Sequence, residues 1–133
     1  MPRREGSAMS LEAIQRYNET LLETLREGVP RATLRAWLGD FSPPEAPCWE
    51  DTRPLSSVDW FPILENRDLS ALPERILPRW GMVTERCSLR LLPTALPVCR
   101  HPGNRYDDLL QETALLPGEP LAVLHPSRDG QWW

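Results

Sequence analysis

Proline sets the strongest constraint on what this chain can fold into. Fifteen of the 133 residues are proline, which is more than twice the usual ~5%. Proline lacks the amide donor and fixes φ, so long uninterrupted helices and a large central sheet are hard to build. Apolar residues still make up 41% and charged residues 26% of the chain, close to the globular average. We therefore expect a folded chain of short elements joined by stiff loops.

The charge pattern excludes two classes of partner. The net charge is −4 and all fifteen basic residues are Arg, scattered along the chain. We interpret them as a solvated surface with local ion pairs that each contribute little. Because duplex nucleic acid and anionic membranes both require a clustered basic face, neither is expected as a partner.

Hydropathy predicts no membrane span, since no run approaches the ~20 apolar residues that a bilayer requires. Residues 1–9 include basic side chains without an apolar segment behind them. They do not have the pattern of a secretory leader. Taken literally, this start indicates a cytoplasmic chain.

Two helices are predicted near the N-terminus. Ser10 is a candidate N-cap, and Gly28 followed by Pro30 is typical of a helix end. Apolar residues recur between them at helical spacing: Leu11, Ile14, Tyr17, Leu21 and Leu25. We expect this stripe to pack in a core. A second helix is predicted over 31–38, with Gly39 as its stop.

The segment from 41 to about 78 combines seven prolines with Trp49, Trp60 and Phe61. A bare linker would be rich in Gly, Ser or polar residues instead. We interpret the segment as an extended arm whose aromatic side chains dock on a neighbouring surface. Single helical turns are predicted over 69–72 and 74–77.

Short strands are predicted in the remaining sequence, over 82–84, 88–91 and 121–124. Asp129-Gly130 is typical of a hairpin turn, which predicts a return strand over 131–133. On a strand, Trp132 and Trp133 would face opposite sides, one in the core and one outward. These strands make only part of a small barrel. We expect a continuation of the chain, or another chain, to complete its open edge, and we favour the first.

The three cysteines, Cys48, Cys87 and Cys99, form no paired motif. An odd number argues against a full disulfide framework. One bridge between Cys87 and Cys99 is an alternative, but we favour isolated thiols. Cys99-x-His101 is a poor chelate, so neither a metal, another cofactor nor nucleophilic catalysis is predicted.

Four motifs follow one another in the C-terminal half: Leu89-Arg90-x-Leu92-Pro93-Thr94, Tyr106-Asp107-Asp108-Leu109-Leu110-Gln111, Leu116-Pro117-Gly118-Glu119-Pro120 and Leu124-His125-x-Ser127-x-Asp129-Gly130-x-Trp132. In this order and spacing they resemble the first bacterial SH3 (SH3b) domain of multi-domain NlpC/P60 cell-wall hydrolases. The preceding part, with a helix, the segment from Trp37 to Trp60, and Asn66, is similar to that family's N-terminal stabilising segment.

The resemblance implies an α+β fold with two parts. Residues 1–80 would form a helical and proline-rich clip that stabilises the other domains. Residues 81–133 would form an incomplete SH3b-type barrel. In the family a second SH3b domain and a papain-like catalytic domain follow, and the catalytic cysteine lies in an Asp-Cys-Ser-Gly-like context. None of the three cysteines here matches that context, so we expect no enzymatic activity from this chain.

The resemblance also implies a function. The chain would stabilise the catalytic domain and help to position the stem peptide of peptidoglycan. Its partners would then be the downstream SH3b and NlpC/P60 domains and the cell wall. The expected location is the cell envelope or periplasm, in conflict with the lack of a leader. The alternative is a stand-alone adaptor whose open edge binds a partner by strand addition.

Six residues within these motifs are candidates for contact with substrate or another domain: Asp107, Gln111, His125, Ser127, Asp129 and Trp132. In the family the SH3b domain lies close to the hydrolase cleft. Polar residues on the face toward that cleft are therefore candidates for shaping the substrate site. The competing interpretation, which we favour for His125, Ser127 and Asp129, is that they organise the hairpin by side-chain to backbone hydrogen bonds. An outward Trp132 or Trp133 would stack on a sugar or a docked domain, although packing is the role we favour.

Overall fold

The computed structural model describes residues 10–133, and its first element is the predicted N-terminal helix, α1 (Leu11–Glu27). The Ser10 hydroxyl accepts a hydrogen bond from the Ala13 amide at 3.2 Å, and Gly28 ends the helix at a φ of 93°. Both predicted ends are confirmed. Residues 1–9, in which no secretory leader is predicted, lie outside the described residues.

The apolar stripe of α1 is buried only at its C-terminal end, so its prediction as core is wrong for its first three members. Leu25 is buried and Leu21 partly so, whereas Leu11, Ile14 and Tyr17 are 71%, 42% and 63% exposed. Leu25 belongs to a cluster that the last turn of α1 reaches: Leu25, Val29, Leu34, Leu72 and Ile76. The preceding turns extend beyond this cluster.

The predicted second helix is confirmed as α2 (Arg31–Gly39). It follows β1 (Val29–Pro30), which pairs with β4 (Arg75–Ile76). The prediction of a helical turn over 74–77 is wrong, because this backbone pairs with β1. The predicted turn over 69–72 is confirmed as a 3-10 helix, Leu69–Ala71.

The proline-rich segment is not simply an extended arm, because it contains α3 (Ser57–Glu65), which the sequence did not predict. Ser56 and Asp59 form a capping box at its start, a strong signal for helix initiation. Pro62 lies inside the helix. Docking of the aromatic residues is confirmed for Trp60, which is buried, but Phe61 is exposed.

The remaining strands form three antiparallel pairs. β2 (Trp49–Glu50) pairs with β3 (Arg53–Pro54), β5 (Arg79–Met82) with β8 (Pro120–Val123), and β6 (Cys87–Arg90) with β7 (Gln111–Leu115). Within residues 10–133 each sheet has only two strands, so there is no closed barrel there. The α+β class and the partial SH3-like architecture are confirmed.

The predicted return strand over 131–133 is wrong, although the turn before it forms. Gly130 has a φ of 71°, the left-handed conformation that a turn of this kind requires. The Ser127 amide donates to the Trp132 carbonyl at 2.9 Å, but residues 131–133 have no regular structure. One backbone hydrogen bond does not make a strand.

A second core cluster combines residues from both predicted parts of the chain: Cys48, Trp60, Ile63, Leu92, Val98 and Leu110. In the first cluster, likewise, Ala122 and Leu124 pack against residues that precede position 80. The division into 1–80 and 81–133 stays a prediction. Each part nevertheless supplies side chains that the other needs for burial. Between residues 10 and 133, no helix is long and apolar enough to cross a bilayer.

Candidate functional site

The turn over 127–130 is fastened to the end of α3 through Asn66. The Asn66 side-chain amide donates to the Pro93 carbonyl at 2.8 Å and to the Asp129 carboxylate at 3.2 Å. In return, the Asp129 amide donates to Asn66 Oδ1 at 3.1 Å, and the Arg128 amide donates to the Asn66 carbonyl at 2.9 Å. One residue after a helix therefore fixes a turn 63 positions away.

Arg128 adds two ion pairs to the same junction. Its guanidinium contacts Glu65 at 3.2 Å and Asp68 at 3.1 Å. The Arg128 side chain is about half exposed, and exposed ion pairs contribute little to stability. We therefore attribute the fixed position of the turn mainly to Asn66.

Ser127 and Asp129 organise the turn from inside, as the sequence predicted. The buried Ser127 hydroxyl donates to Asp129 Oδ1 at 2.6 Å and accepts from the Trp132 amide at 3.0 Å. Asp129 Oδ1 also accepts from the Gln131 amide at 3.0 Å. The hydrogen bonds from Ser127 and Gln131, with a further one from Asn66, hold the pKa of Asp129 below its ordinary value.

His125 has partners outside the hairpin, so its assignment to the organisation of the hairpin is wrong. Its Nε2 lies 3.1 Å from the Arg67 carbonyl and 3.2 Å from the Asp68 carbonyl. Since carbonyl oxygens only accept, Nε2 must carry the hydrogen that both share. The imidazole therefore joins the chain after β8 to the backbone that follows α3.

A cavity of about 160 Å³ lies beside this junction, and we call it the Trp132 cleft. Its walls include Leu38, Leu91, Pro93 and Trp132, and its polar side chains include Arg67 and His125. A wider depression of about 910 Å³ is lined by Phe61, Asn66, Asp129 and others. Trp132 and Pro93 line both depressions.

Asp107 and Gln111 lie apart from the other four candidates and line neither depression. Gln111 is exposed at the start of β7, where its Oε1 accepts from Arg90 at 3.1 Å. Asp107 is partly buried in the preceding loop. The structure thus brings together His125, Ser127, Asp129 and Trp132 and leaves out the other pair. Contact of any of the six with substrate or another domain stays a prediction.

Arg90 is the main correction to the interpretation of all arginines as solvated surface. Its side chain is only 7% exposed and pairs with Asp108 at 2.8 Å. It also donates to the carbonyls of Thr94 at 2.6 Å and Leu96 at 2.8 Å. No local pattern predicts this pair, since its members lie 18 positions apart.

Asp108 is as firmly bound as Arg90. Its Oδ1 accepts from the amides of Val98 at 3.2 Å and Leu110 at 3.1 Å. Burial alone would raise the pKa of Asp108. The hydrogen bonds from Arg90 and from the two amides outweigh burial and lower the pKa.

The cysteines show no arrangement for catalysis or metal binding. Cys48 and Cys99 are buried, Cys87 is exposed, and all three are free thiols. Burial raises the pKa of the Cys48 thiol against a weaker opposing effect of Arg100, which disfavours the reactive thiolate. Among the residues that the structure describes, no group of three or more His, Cys, Asp or Glu is placed to hold a metal ion.

Comparison with known families gives a match in the C-terminal part of the chain. The family described as SH3 domain (SH3b1 type) matches residues 100–133. No curated protein matches the chain. The matched segment holds three of the four motifs and all six candidate residues, while the Leu89–Thr94 motif and the N-terminal clip lie outside it. SH3b domains are non-catalytic binding domains, which is compatible with a chain that is not an enzyme. Residues 100–133 are therefore similar to bacterial SH3 domains of the SH3b1 type.

Proposed function

We propose that this chain is a non-catalytic accessory part of an NlpC/P60-type peptidoglycan hydrolase. It would stabilise the catalytic domain and help to position the stem peptide of the cell wall. The observation that carries this proposal is the Trp132 cleft, because the SH3b1-type segment contributes His125, Ser127 and Trp132 to its wall. Binding modules use such clefts, in which an apolar surface is combined with a few fixed polar groups.

The fixed position of Trp132 supports a binding role. Its backbone is held on both sides by Ser127, through the amide at 3.0 Å and the carbonyl at 2.9 Å. An indole supplies a large flat apolar surface with one polar group. Because the loop that carries it is already ordered, binding costs less conformational entropy.

The contacts of α3 support a stabilising role for the N-terminal part. Trp60 and Ile63 share a core cluster with Leu92, Val98 and Leu110. Asn66 adds the hydrogen bonds that fasten the turn beside the cleft. These contacts support the proposal that the first part of the chain acts as a clip on the second.

The partners follow from this assignment. The ligand is the stem peptide, and the protein partners are a second SH3b domain and the NlpC/P60 domain of the full-length hydrolase. The location is the cell envelope.

Trp133 is well exposed beside the cleft, with the Arg79 guanidinium 4.7 Å from the centre of its ring. It is available for contact with a neighbouring domain.

Co-sedimentation with purified peptidoglycan sacculi tests the proposal. We expect the chain to pellet with sacculi and Trp132→Ala to weaken that binding about tenfold, as for a central aromatic contact. Trp37→Ala is the control, because Trp37 is about half exposed on α2 and lines neither depression. A chain that stays in the supernatant, or equal loss in both variants, would contradict the proposal.

A second candidate function is favoured by the free edges of the β5–β8 sheet. It has two strands, and all four residues of β5 are exposed. An exposed edge with apolar side chains such as Trp80 and Met82 suits strand addition by a protein partner. This adaptor function predicts a stable chain with no affinity for sacculi, which the same experiment detects.

A further inference from the structure

The Trp132 cleft carries a positive charge in a chain of net charge −4. Arg67, Arg90 and His125 line it, and none of the described residues that line it is acidic. Arg90 is already paired with Asp108 at 2.8 Å. The uncompensated charge of the cleft therefore belongs to Arg67.

Arg67 is held in place by neutral groups only. Its Nε donates to the Leu64 carbonyl at 3.0 Å and one Nη donates to the Leu38 carbonyl at 2.8 Å. Among residues 10–133, no carboxylate lies within 4.0 Å of its guanidinium. A guanidinium has five N–H donors in a fixed plane. Two of them fasten this one to the ends of α2 and α3, and the other three have no acceptor among residues 10–133.

His125 fixes the backbone that carries Arg67. The shared hydrogen bond from its Nε2 to the Arg67 and Asp68 carbonyls ties that backbone to the chain after β8. The position of the guanidinium is thus fixed by its own hydrogen bonds and by those of the Arg67 and Asp68 backbone. Such pre-organisation lowers the entropic cost of binding a ligand.

The size of the cleft limits the ligand. Its volume of about 160 Å³ is smaller than the ~300 Å³ or more of a pocket for a drug-sized ligand. The cleft therefore accepts one end group of a larger molecule. Its apolar walls, Leu91, Pro93 and Trp132, suit a small side chain beside the charged group.

We propose that the Trp132 cleft binds the terminal carboxylate of a peptide. Arg67 forms charge-assisted hydrogen bonds with the carboxylate, and the apolar walls contact the side chain of the terminal residue. His125 is a positioning residue for Arg67. The identity of the peptide as the stem peptide rests on the proposed function. The requirement for a carboxylate follows from the cleft itself.

Calorimetric titration of the full chain with N-acetyl-D-alanine and with its amide tests the proposal. The two probes differ only in the charged group, so no variant has to fold. We expect the acid to bind about tenfold or more tightly than the amide, as for the loss of a charge-assisted hydrogen bond. Equal affinity for acid and amide, or no binding of either, would overturn the proposal.

Two variants assign the effect to Arg67. Arg67→Gln should reduce the affinity for the acid to that for the amide and leave the affinity for the amide unchanged. Arg35→Gln, at an exposed arginine on α2, should change neither. If Arg35→Gln weakens acid binding as much as Arg67→Gln, the site lies elsewhere and the proposal fails.

The two proposals can fail separately. Binding to sacculi without a preference for the acid would overturn the carboxylate site and leave the accessory function supported. Preference for the acid without binding to sacculi would overturn the accessory function and support the carboxylate site.

Discussion

Asn66 and Asp129 form a reciprocal pair of hydrogen bonds across 63 positions of the chain. The Asp129 amide donates to Asn66 Oδ1 at 3.1 Å, and the Asn66 side-chain amide donates to Asp129 Oδ2 at 3.2 Å. This pair joins the end of α3 to the turn that carries Trp132. It explains how the turn keeps its place although no regular strand follows it.

Asn66→Ala should destabilise the chain by about 1–3 kcal/mol, because it leaves the Asp129 amide and the Pro93 carbonyl without partners. Urea unfolding followed by circular dichroism measures this loss. Asn18→Ala is the control, since Asn18 is exposed on α1 and alanine favours helix slightly. Equal stability of Asn66→Ala and the wild type would show that the pair does not hold the turn.

Asp108→Asn should cost about 3–5 kcal/mol, the usual effect of leaving one member of a buried ion pair without its partner. Arg90 would keep its charge at 7% exposure with only carbonyl and amide oxygens around it. The neighbouring change Asp107→Asn should lie within about 0.5 kcal/mol of the wild type, because the Asp107 carboxylate makes no ion pair among the described residues. Thermal unfolding of the two variants measures both losses of stability. Similar losses would refute the assignment of Arg90 and Asp108 as a stabilising buried ion pair.

Stability should fall with acid through the same carboxylate. The pKa of Asp108 is lower in the folded chain than its ordinary value, so the unfolded chain binds more protons and stability rises with pH in that range. The contribution is complete above about pH 5 and is lost as the pH falls through the ordinary Asp pKa of ~3.9 and below. Between pH 6 and pH 3, the urea midpoint should fall less steeply with pH for Asp108→Asn than for the wild type. Equal pH dependence in the two proteins would contradict this.

Gly28 and Gly39 should respond in opposite directions to alanine. Gly28 has a φ of 93°, and an added Cβ would lie 2.8 Å from Arg75 Cγ, so Gly28→Ala should lose about 1 kcal/mol or more. Gly39 lies at the end of α2 with nothing within 4 Å of an added Cβ. Gly39→Ala should gain up to about 0.5–1 kcal/mol. Differential scanning calorimetry distinguishes the two, and a stabilised Gly28→Ala would show that this helix end is wrongly described.

Trp60→Ala should destabilise the part of the chain that follows position 80, although Trp60 precedes it in the sequence. Trp60 is buried with Leu92, Val98 and Leu110, and removal of a buried Trp costs about 3–5 kcal/mol. Trp37→Ala should cost far less, because that side chain is about half exposed. Amide hydrogen exchange of Leu110 and Val98 reports the effect locally. Unchanged protection there would mean that the first part does not support the second.

The correctly predicted elements are those whose signals are local. Ser10 and Gly28 delimit α1, and Asp129-Gly130 marks the turn, each within a few residues of the feature that it controls. Strand β8 lies within one residue of its prediction for the same reason, as a short apolar run. These features depend on backbone preferences that a short window of sequence contains.

Two missed features depend on partners distant in the chain, whereas α3 was missed although its capping box is a local signal. Proline disfavours a helix interior, and Pro62 lies inside α3. The capping box before Pro62 and the burial of Trp60 outweigh this unfavourable effect. The Arg90–Asp108 pair and the bonds of Arg67 to Leu38 span 18 and 29 positions. Four candidate residues lie together, Trp132 among them, because they belong to one sequence motif. Arg67 lies outside that motif, so its position beside them could not be predicted from the sequence.

The most direct test of the account is a titration of the 15N-labelled chain with soluble stem-peptide fragments, followed through its indole resonances. The chain has six Trp residues, each with one indole N–H signal that a Trp→Phe variant assigns. We predict a saturable shift of the Trp132 signal, with Trp37 and Trp49 unchanged. A titration in which no indole signal moves, or in which Trp37 moves and Trp132 does not, would contradict binding at the Trp132 cleft.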